Sequence, residues 1–209
     1  DISEYAKIKE IAERLKNIKE MREKSSANRI RNTAVYPYLF CQDRQPDTDY
    51  LVFPQHTTSS RKYIPIGFMN KNVIVGNACY MIPNTSIFEF GILTSNVHMA
   101  WTKIVCGRLG EGYRYSPAIY NNFPWPNPTN KQKEKIERTA QSILDARALY
   151  PNNSLADLYD ELTMPPELRK AHQENDKAVM EAYRFNWHKM TESNCVAELM
   201  KMYEKLIKQ

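Results

Sequence analysis

The sequence predicts an α+β fold, in which a mixed domain of short strands and helices is followed by a smaller, wholly helical domain. Short apolar and aromatic runs broken by prolines fill residues 50–82, as is typical of strands. Beyond residue 129 the apolar residues recur at steps of three and four, which is the spacing of one helix face. The proline-broken connector at 121–128 separates the two patterns, so we place a domain boundary there.

The chain begins with an amphipathic pattern. Apolar residues at steps of three and four predict a helix over 4–24, with Ser3 as its N-cap. Residues 25–48 contain proline breakers and are expected to be irregular. The predicted layout is therefore a connector helix and linker at 1–34, the mixed domain at 35–128 and the helical domain at 129–209.

Strands and buried helices alternate in the mixed domain. The predicted strands are 50–53, 63–68, 73–75 and 80–82. Residues 86–105 are so apolar that we expect one or two buried helices there, with a break near 94–96. Loops and short strands are expected over 107–128, where three glycines occur close together.

The rest of the chain is predicted to be helical. A capping pattern at Ser154 and Asp157 marks the start of one short helix. The predicted helices are 130–149, 155–162, a helix that starts at Pro165-Pro166 and runs to about Tyr183, and 193–207.

Bulk composition predicts an ordinary globular protein of the cytoplasm. The chain has 209 residues, of which 42% are hydrophobic and 25% charged. Its apolar runs are shorter than the roughly 18 residues of a membrane span, so no membrane partner is expected. The four cysteines lie far apart, which favours reduced thiols. The first residue is not Met, which indicates a piece of a longer protein.

Positive charge is concentrated in the first part of the chain. Residues 1–128 contain 16 Lys and Arg against 11 Asp and Glu, whereas residues 129–209 contain 13 of each. A basic surface favours nucleic acid, because binding releases counterions from the phosphates. The same distribution is also compatible with a slightly basic protein that binds no polyanion.

The motifs that catalysis would need are not found in the sequence. Four scattered histidines form no metal-ligand pair. The glycine cluster at 107–112 follows a predicted helix, whereas a nucleotide-type loop follows a strand. The string Asn127-Pro128-Thr129-Asn130 lacks the second proline and the aromatic residue of an adenine methyltransferase tetrapeptide. We therefore predict no catalytic, cofactor-binding or metal-ligating residue in this chain.

Two clusters are instead suited to nucleic acid. The first combines hydroxyls, cations and an aromatic ring just before a predicted strand, and such groups contact phosphates or guanine edges. Its members are Ser59, Ser60, Arg61, Lys62 and Tyr63. The second lies on a glycine-rich loop and has charges of both signs. Its members are Arg108, Glu111 and Arg114. The alternative for either cluster is a surface turn with a structural arginine.

These clusters lie within long strings that resemble a known family. The strings are Tyr50-Leu51-Val52-Phe53-Pro54, Ser59-Ser60-Arg61-Lys62-Tyr63-Ile64-Pro65-Ile66-Gly67, Phe90-Gly91-Ile92-Leu93-Thr94-Ser95, His98-Met99-Ala100-Trp101, Cys106-Gly107-Arg108-Leu109, Tyr113-Arg114-Tyr115-Ser116 and Tyr120-Asn121-Asn122-Phe123-Pro124-Trp125-Pro126. With Leu155-Ala156-Asp157-Leu158-Tyr159-Asp160 and Met164-Pro165-Pro166-Glu167-Leu168-Arg169-Lys170-Ala171-His172, they resemble MmeI-like enzymes. Those are single-chain restriction–modification proteins and related class I adenine DNA methyltransferases.

The resemblance implies that this chain belongs to a longer protein whose domains have different functions. It implies that residues 35–128 are a target recognition domain for double-stranded DNA, and that 129–209 are the family's C-terminal helical domain. The helix with Arg22, Ser25 and Ser26 would connect to the protein's own methyltransferase domain, where S-adenosylmethionine is expected to bind.

The resemblance also reduces the number of candidate base-reading residues. Some readers in such enzymes lie between the Gly-Arg-Leu and Tyr-Arg-Tyr-Ser strings, which here enclose Gly110-Glu111-Gly112. Two of these three residues have no side chain, so Glu111 is the remaining candidate.

Other functions stay open at this point. A non-catalytic protein-interaction or specificity module, with the neutral C-terminal helices binding a partner, is the main alternative. A stand-alone enzyme is disfavoured, because its motifs are not found.

Overall fold

The N-terminal segment forms two helices in the computed structural model, which describes residues 2–208. Helix α1 is Ile2–Tyr5 and helix α2 is Lys9–Glu23. The prediction of one helix capped by Ser3 is wrong. Ser3 lies inside α1, and the extended backbone of Ile8, the N-cap of α2, interrupts the helical path.

One buried side chain organises the segment that follows. A short helix, α3, spans Asn28–Arg31 within the stretch that was predicted to be irregular. Arg22 is 6% exposed, and its guanidinium donates to the carbonyl oxygens of Thr33, Tyr36 and Leu39 at 3.0, 2.9 and 2.7 Å. These bonds satisfy backbone acceptors that no helix or sheet serves. Asp1–Gln45 forms a compact unit by itself.

Two small antiparallel sheets form in the second unit, Pro46–Gln209. The first has the order β3-β1-β4, and its strands are β1 at Tyr50–Pro54, β3 at Gly67–Met69 and β4 at Cys79–Pro83. The second has the order β2-β6-β5, and its strands are β2 at His56–Thr57, β5 at Gly107–Leu109 and β6 at Gly112–Arg114.

Two of the four predicted strands are confirmed as β1 and β4. The prediction for 63–68 is correct only from Gly67 onward, because Pro65 has no N–H for a ladder and its neighbours are buried as core residues. The prediction of a strand at 73–75 is wrong. There the chain turns, with the Val73 amide bonded to the Asn70 carbonyl and the Val73 carbonyl bonded to the Tyr50 hydroxyl.

Most helices of the second unit follow the predicted pattern, but a short helix forms at Pro117–Asn121, where loops and short strands were predicted. The break near 94–96 is confirmed, since Ser95 caps the start of α5 by accepting the amide of His98. Ser154 and Asp157 do form a capping box, although their helix stops at Leu158 rather than at 162. The helices are α4 at Ile87–Leu93, α5 at Asn96–Val105, α6 at Pro117–Asn121, α7 at Asn130–Ala148, α8 at Leu155–Leu158, α9 at Pro166–Ala182 and α10 at Glu192–Ile207.

A tight helix crossing joins the mixed and helical parts of the second unit. A Cβ placed on Gly91 in α4 would lie 2.8 Å from Cγ2 of Ile136 and 3.0 Å from Cβ of Ala140, both in α7. The side-chain amide of Asn175 in α9 donates to the Gly91 carbonyl at 2.7 Å. The fold class is α+β as predicted. The two parts share one core, and their division into separate domains stays a prediction.

None of the described helices is long and apolar enough to cross a membrane. The four cysteines are free thiols in the described structure.

Candidate nucleic-acid interface

The small sheet β2-β6-β5 brings the two predicted clusters together. Strand β6 pairs with β2 through His56↔Arg114 and Thr57↔Tyr113, and with β5 through Arg108↔Tyr113. Strand β2 runs directly into the turn that carries Ser59–Lys62. Because β2 and β6 are antiparallel, the chain leaves β2 toward the end of β6 where the β5–β6 hairpin turns. Clusters far apart in sequence are therefore parts of one surface.

The hairpin turn presents Glu111 at its tip. Gly110 has a φ of 58°, a left-handed conformation that a residue without Cβ adopts at little cost. A two-residue connection, Gly110-Glu111, thus joins Leu109 to Gly112. The side chain of Glu111 is exposed there.

Gly112 is required for a different reason, namely the close approach of two backbones. A Cβ at this position would lie 2.8 Å from the carbonyl oxygen of Thr57 in β2. A base-reading side chain at this position would push β2 away. The absence of a side chain at 112 is therefore part of how the two clusters meet.

We expect Gly112→Ala to lower the free energy of unfolding by about 1–3 kcal/mol, because the added methyl overpacks against backbone. Gly107→Ala is the matched control on the neighbouring strand, where a new Cβ meets nothing within 4 Å. Chemical denaturation of both variants measures the difference. Equal stability of the two variants would contradict the close approach.

The two arginines of the hairpin lie on opposite faces. The guanidinium carbon of Arg108 lies 4.6 Å from the centre of the Tyr113 ring, its cross-strand partner, and both project from one face. Arg114 is the next residue after Tyr113, so its side chain projects from the other face. There it pairs in register with the exposed His56. The hairpin is thus a ribbon with one arginine on each face, and the Arg108 face also carries Tyr113, which is only 6% exposed.

The charged residues of this surface lack salt-bridge partners in the described chain, although Arg108 and Lys62 lie near the rings of Tyr113 and Tyr63. Among residues 2–208, no salt bridge or side-chain hydrogen bond involves Arg61, Lys62 or any charged residue of the hairpin. By contrast, Lys103 pairs with Glu192 at 2.7 Å, and Lys201 pairs with Glu198 at 2.7 Å. The alternative in which Glu111 braces Arg108 or Arg114 finds no support in this arrangement. Unpaired cations in one place suit an anionic ligand.

The first predicted cluster divides into exposed and buried members. Ser59, Ser60 and Lys62 are exposed, and Arg61 is half-buried, on a turn closed by the Arg61 amide and the Thr58 carbonyl at 3.3 Å. Tyr63 is 1% exposed, and its hydroxyl donates to Oδ2 of Asp176 at 2.8 Å. A side chain buried to this degree supports the turn from inside, so we leave Tyr63 out of the proposed contacts.

A buried cluster of aromatic rings packs between the strands and α5. The ring of Phe53 stacks on Tyr115 with centroids 4.0 Å apart, and the Tyr115 hydroxyl lies 3.0 Å from Nε2 of His98. Burial lowers the pKa of the His98 imidazole to about 3, so this histidine is neutral at physiological pH. His98 therefore holds α5 against the strands rather than exchanging protons with a ligand.

Sequence reasoning missed His56 as a member of this surface. An isolated histidine beside a short strand has no spacing that signals a site. Only the register of β2 against β6 places it opposite Arg114.

Comparison with known proteins decides the family. Residues 1–127 match the family model described as MmeI, target recognition domain, and residues 128–209 match MmeI, C-terminal domain. The chain belongs to the MmeI family. The resemblance of the motif strings is thereby confirmed, and the surface just described lies in the part that matches the MmeI target recognition domain.

Two similar proteins are much longer than this MmeI-family chain. DNA methyltransferase A of Bacillus subtilis (strain 168) is 37% identical over 209 residues, which are 98% of this chain and 23% of that protein. A structure of the Type IIL restriction–modification enzyme MmeI in complex with DNA is 46% identical, with a TM-score of 0.93. The match covers 100% of this chain and 28% of the MmeI chain in that structure. The chain thus spans about a quarter of the relatives it matches.

Proposed function

We propose that this chain is the sequence-reading part of a larger S-adenosylmethionine-dependent adenine DNA methyltransferase of a restriction–modification system. The observation that carries the proposal is the β5–β6 ribbon, which presents Arg108, Arg114 and Glu111 without salt bridges in the described chain. The ribbon lies beside the turn of Arg61 and Lys62. The relatives support it, since one is a DNA methyltransferase and another is an MmeI enzyme bound to DNA.

The ribbon has the form of a major-groove reader. The major groove of B-DNA admits a two-stranded β-ribbon, and each base pair displays a distinct pattern of donors and acceptors there. Both arginines are exposed, and a guanidinium in the groove donates two bonds to guanine O6 and N7. Glu111 at the tip accepts from a cytosine amine.

The neighbouring turn has the chemistry of phosphate binding. Ser59 and Ser60 offer hydroxyl donors, and Arg61 and Lys62 offer charge. Contacts of this kind fix the register of a protein on the duplex and carry no sequence information. We assign this turn to affinity and the ribbon to discrimination.

The chemical step belongs to other parts of the longer protein. S-adenosylmethionine is assigned to the methyltransferase domain of that protein, which is also the intramolecular partner of this chain. Residues 35–128 read the DNA in this proposal, 129–209 form the C-terminal helical domain, and 1–34 connect to the catalytic part.

The test is to map methylated adenines after the complete protein has modified plasmid DNA. We expect N6-methyladenine at one short sequence, with modification that requires S-adenosylmethionine. Methylation without sequence preference would contradict the reading role. Specific modification by a protein from which this chain has been deleted would contradict it as well.

A further inference from the structure

The turn of Arg61 and Lys62 is anchored from behind by one residue of α9. Tyr63 follows Lys62 directly and points into the core. Its hydroxyl donates a hydrogen bond to Oδ2 of Asp176 at 2.8 Å. Its ring stacks on His172, one helical turn before Asp176, with centroids 4.1 Å apart. Both partners belong to the part of the chain that matches the MmeI C-terminal domain.

The same carboxyl group also holds the start of α5. Oδ1 of Asp176 accepts the backbone N–H of Asn96, the first residue of α5, at 2.8 Å. Helix α5 ends at Val105, and β5 begins two residues later at Gly107. One side chain therefore contacts the elements that lead to both halves of the proposed interface.

No β-ladder holds the segment from Tyr63 to Ile66, so side chains must do so. Arg147 of α7 donates through Nη1 to the carbonyl of Ile66 at 2.8 Å and through Nε to the Tyr159 hydroxyl at 2.9 Å. That hydroxyl lies 2.7 Å from Nε2 of His172. Both ends of the segment are thus hydrogen-bonded to a buried network of polar side chains, which come from the C-terminal part of the chain.

We propose that Asp176 is a positioning residue for DNA binding. Through its hydrogen bond with the Tyr63 hydroxyl, Asp176 holds Arg61 and Lys62 in the geometry that binds DNA. This proposal rests on the proposed function of the chain as a DNA reader. In this proposal the C-terminal helices contribute to DNA binding, because α9 carries Asp176.

The electrostatics of Asp176 agree with this assignment. Burial raises the pKa of its carboxyl group to about 7, whereas the Asn96 amide, the Tyr63 hydroxyl and the charge of Lys62 lower it. The charged carboxylate is therefore stabilised by the residues that it holds in place. His172, stacked on Tyr63, is kept neutral by burial, which lowers its pKa.

A double-mutant cycle tests the proposal in the complete protein. We expect Tyr63→Phe, which keeps the ring and removes one hydrogen bond, to weaken binding to a duplex that carries the recognised sequence by roughly 3- to 10-fold. The logarithmic salt slope of binding should fall in magnitude as well, because phosphate contacts are lost. In that background, replacing Arg61 and Lys62 with alanine should cost much less than in the wild type. Asp176→Asn should show the same non-additivity.

Tyr183→Phe is the matched control, because the buried Tyr183 hydroxyl donates to the Pro124 carbonyl at 2.9 Å, away from this network. Its effect should add to that of the Arg61 and Lys62 changes, with the salt slope unchanged. Additive effects for Tyr63→Phe, or an unchanged slope, would overturn the positioning role. If the Arg61 and Lys62 changes had no effect in the wild type, the proposed phosphate contacts themselves would fail, and the positioning role with them.

Discussion

Replacing Arg61 and Lys62 together with alanine is expected to weaken duplex binding by the complete protein roughly 10- to 100-fold at moderate salt. Both side chains lie on an accessible turn without a salt bridge in the described chain, so their charge is available to phosphates. Each lost phosphate contact should reduce the magnitude of the logarithmic salt slope by about 0.9. Fluorescence anisotropy across a salt series measures both quantities.

A charge-matched control separates local contact from net charge. Lys201 and Lys205 are exposed on α10, and Lys201 is already paired with Glu198. Their replacement with alanine changes the net charge equally and should alter affinity far less. If the two double variants weakened binding to the same extent, the turn at 59–62 would contribute only general electrostatics.

Replacing Glu111 with glutamine is expected to change sequence preference rather than affinity. A carboxylate near DNA is repelled by phosphates, so it contributes where it accepts from a cytosine amine. Loss of that contact should relax or shift preference at one base pair by about 1–3 kcal/mol. Non-specific affinity should hold or rise slightly. Mapping of methylated sites in DNA modified by the Glu111→Gln protein measures the change.

The control for this variant is Glu204→Gln, which removes an exposed carboxylate of α10. It should leave the methylated sequence unchanged. An unchanged site with lower overall activity in Glu111→Gln would instead assign Glu111 to bracing the hairpin.

Local sequence signals predicted most helices of the second unit, but they missed α6 there and joined α1 and α2 into one helix. Caps and apolar spacing act over a few residues, so the break before α5 and the start of α8 could be found from Ser95 and Ser154. The strand prediction at 63–68 was only partly correct, because a run of buried apolar residues reads the same in a strand and in a core segment without a ladder.

The candidate site was predicted in composition but not in arrangement. The sequence indicated both clusters, yet the pairing of β2 with β6 that joins them depends on residues more than 50 positions apart. The bond between Tyr63 and Asp176 spans 113 positions. Neither contact leaves a local pattern, so the buried position of Tyr63 and the part played by Asp176 could only be seen in the folded chain.

Photocrosslinking tests the central claim, that the β5–β6 hairpin contacts base edges, most directly. Leu109 is 57% exposed in β5, beside the hairpin turn, whereas Leu206 is 52% exposed near the end of α10. Leu206 lies about 20 Å along that helix from Glu192, which pairs with Lys103 of α5. With a benzophenone amino acid at either position in the complete protein, position 109 should crosslink to bases of the recognised duplex and position 206 should not. Crosslinks absent from 109, or equally strong from 206, would contradict the account.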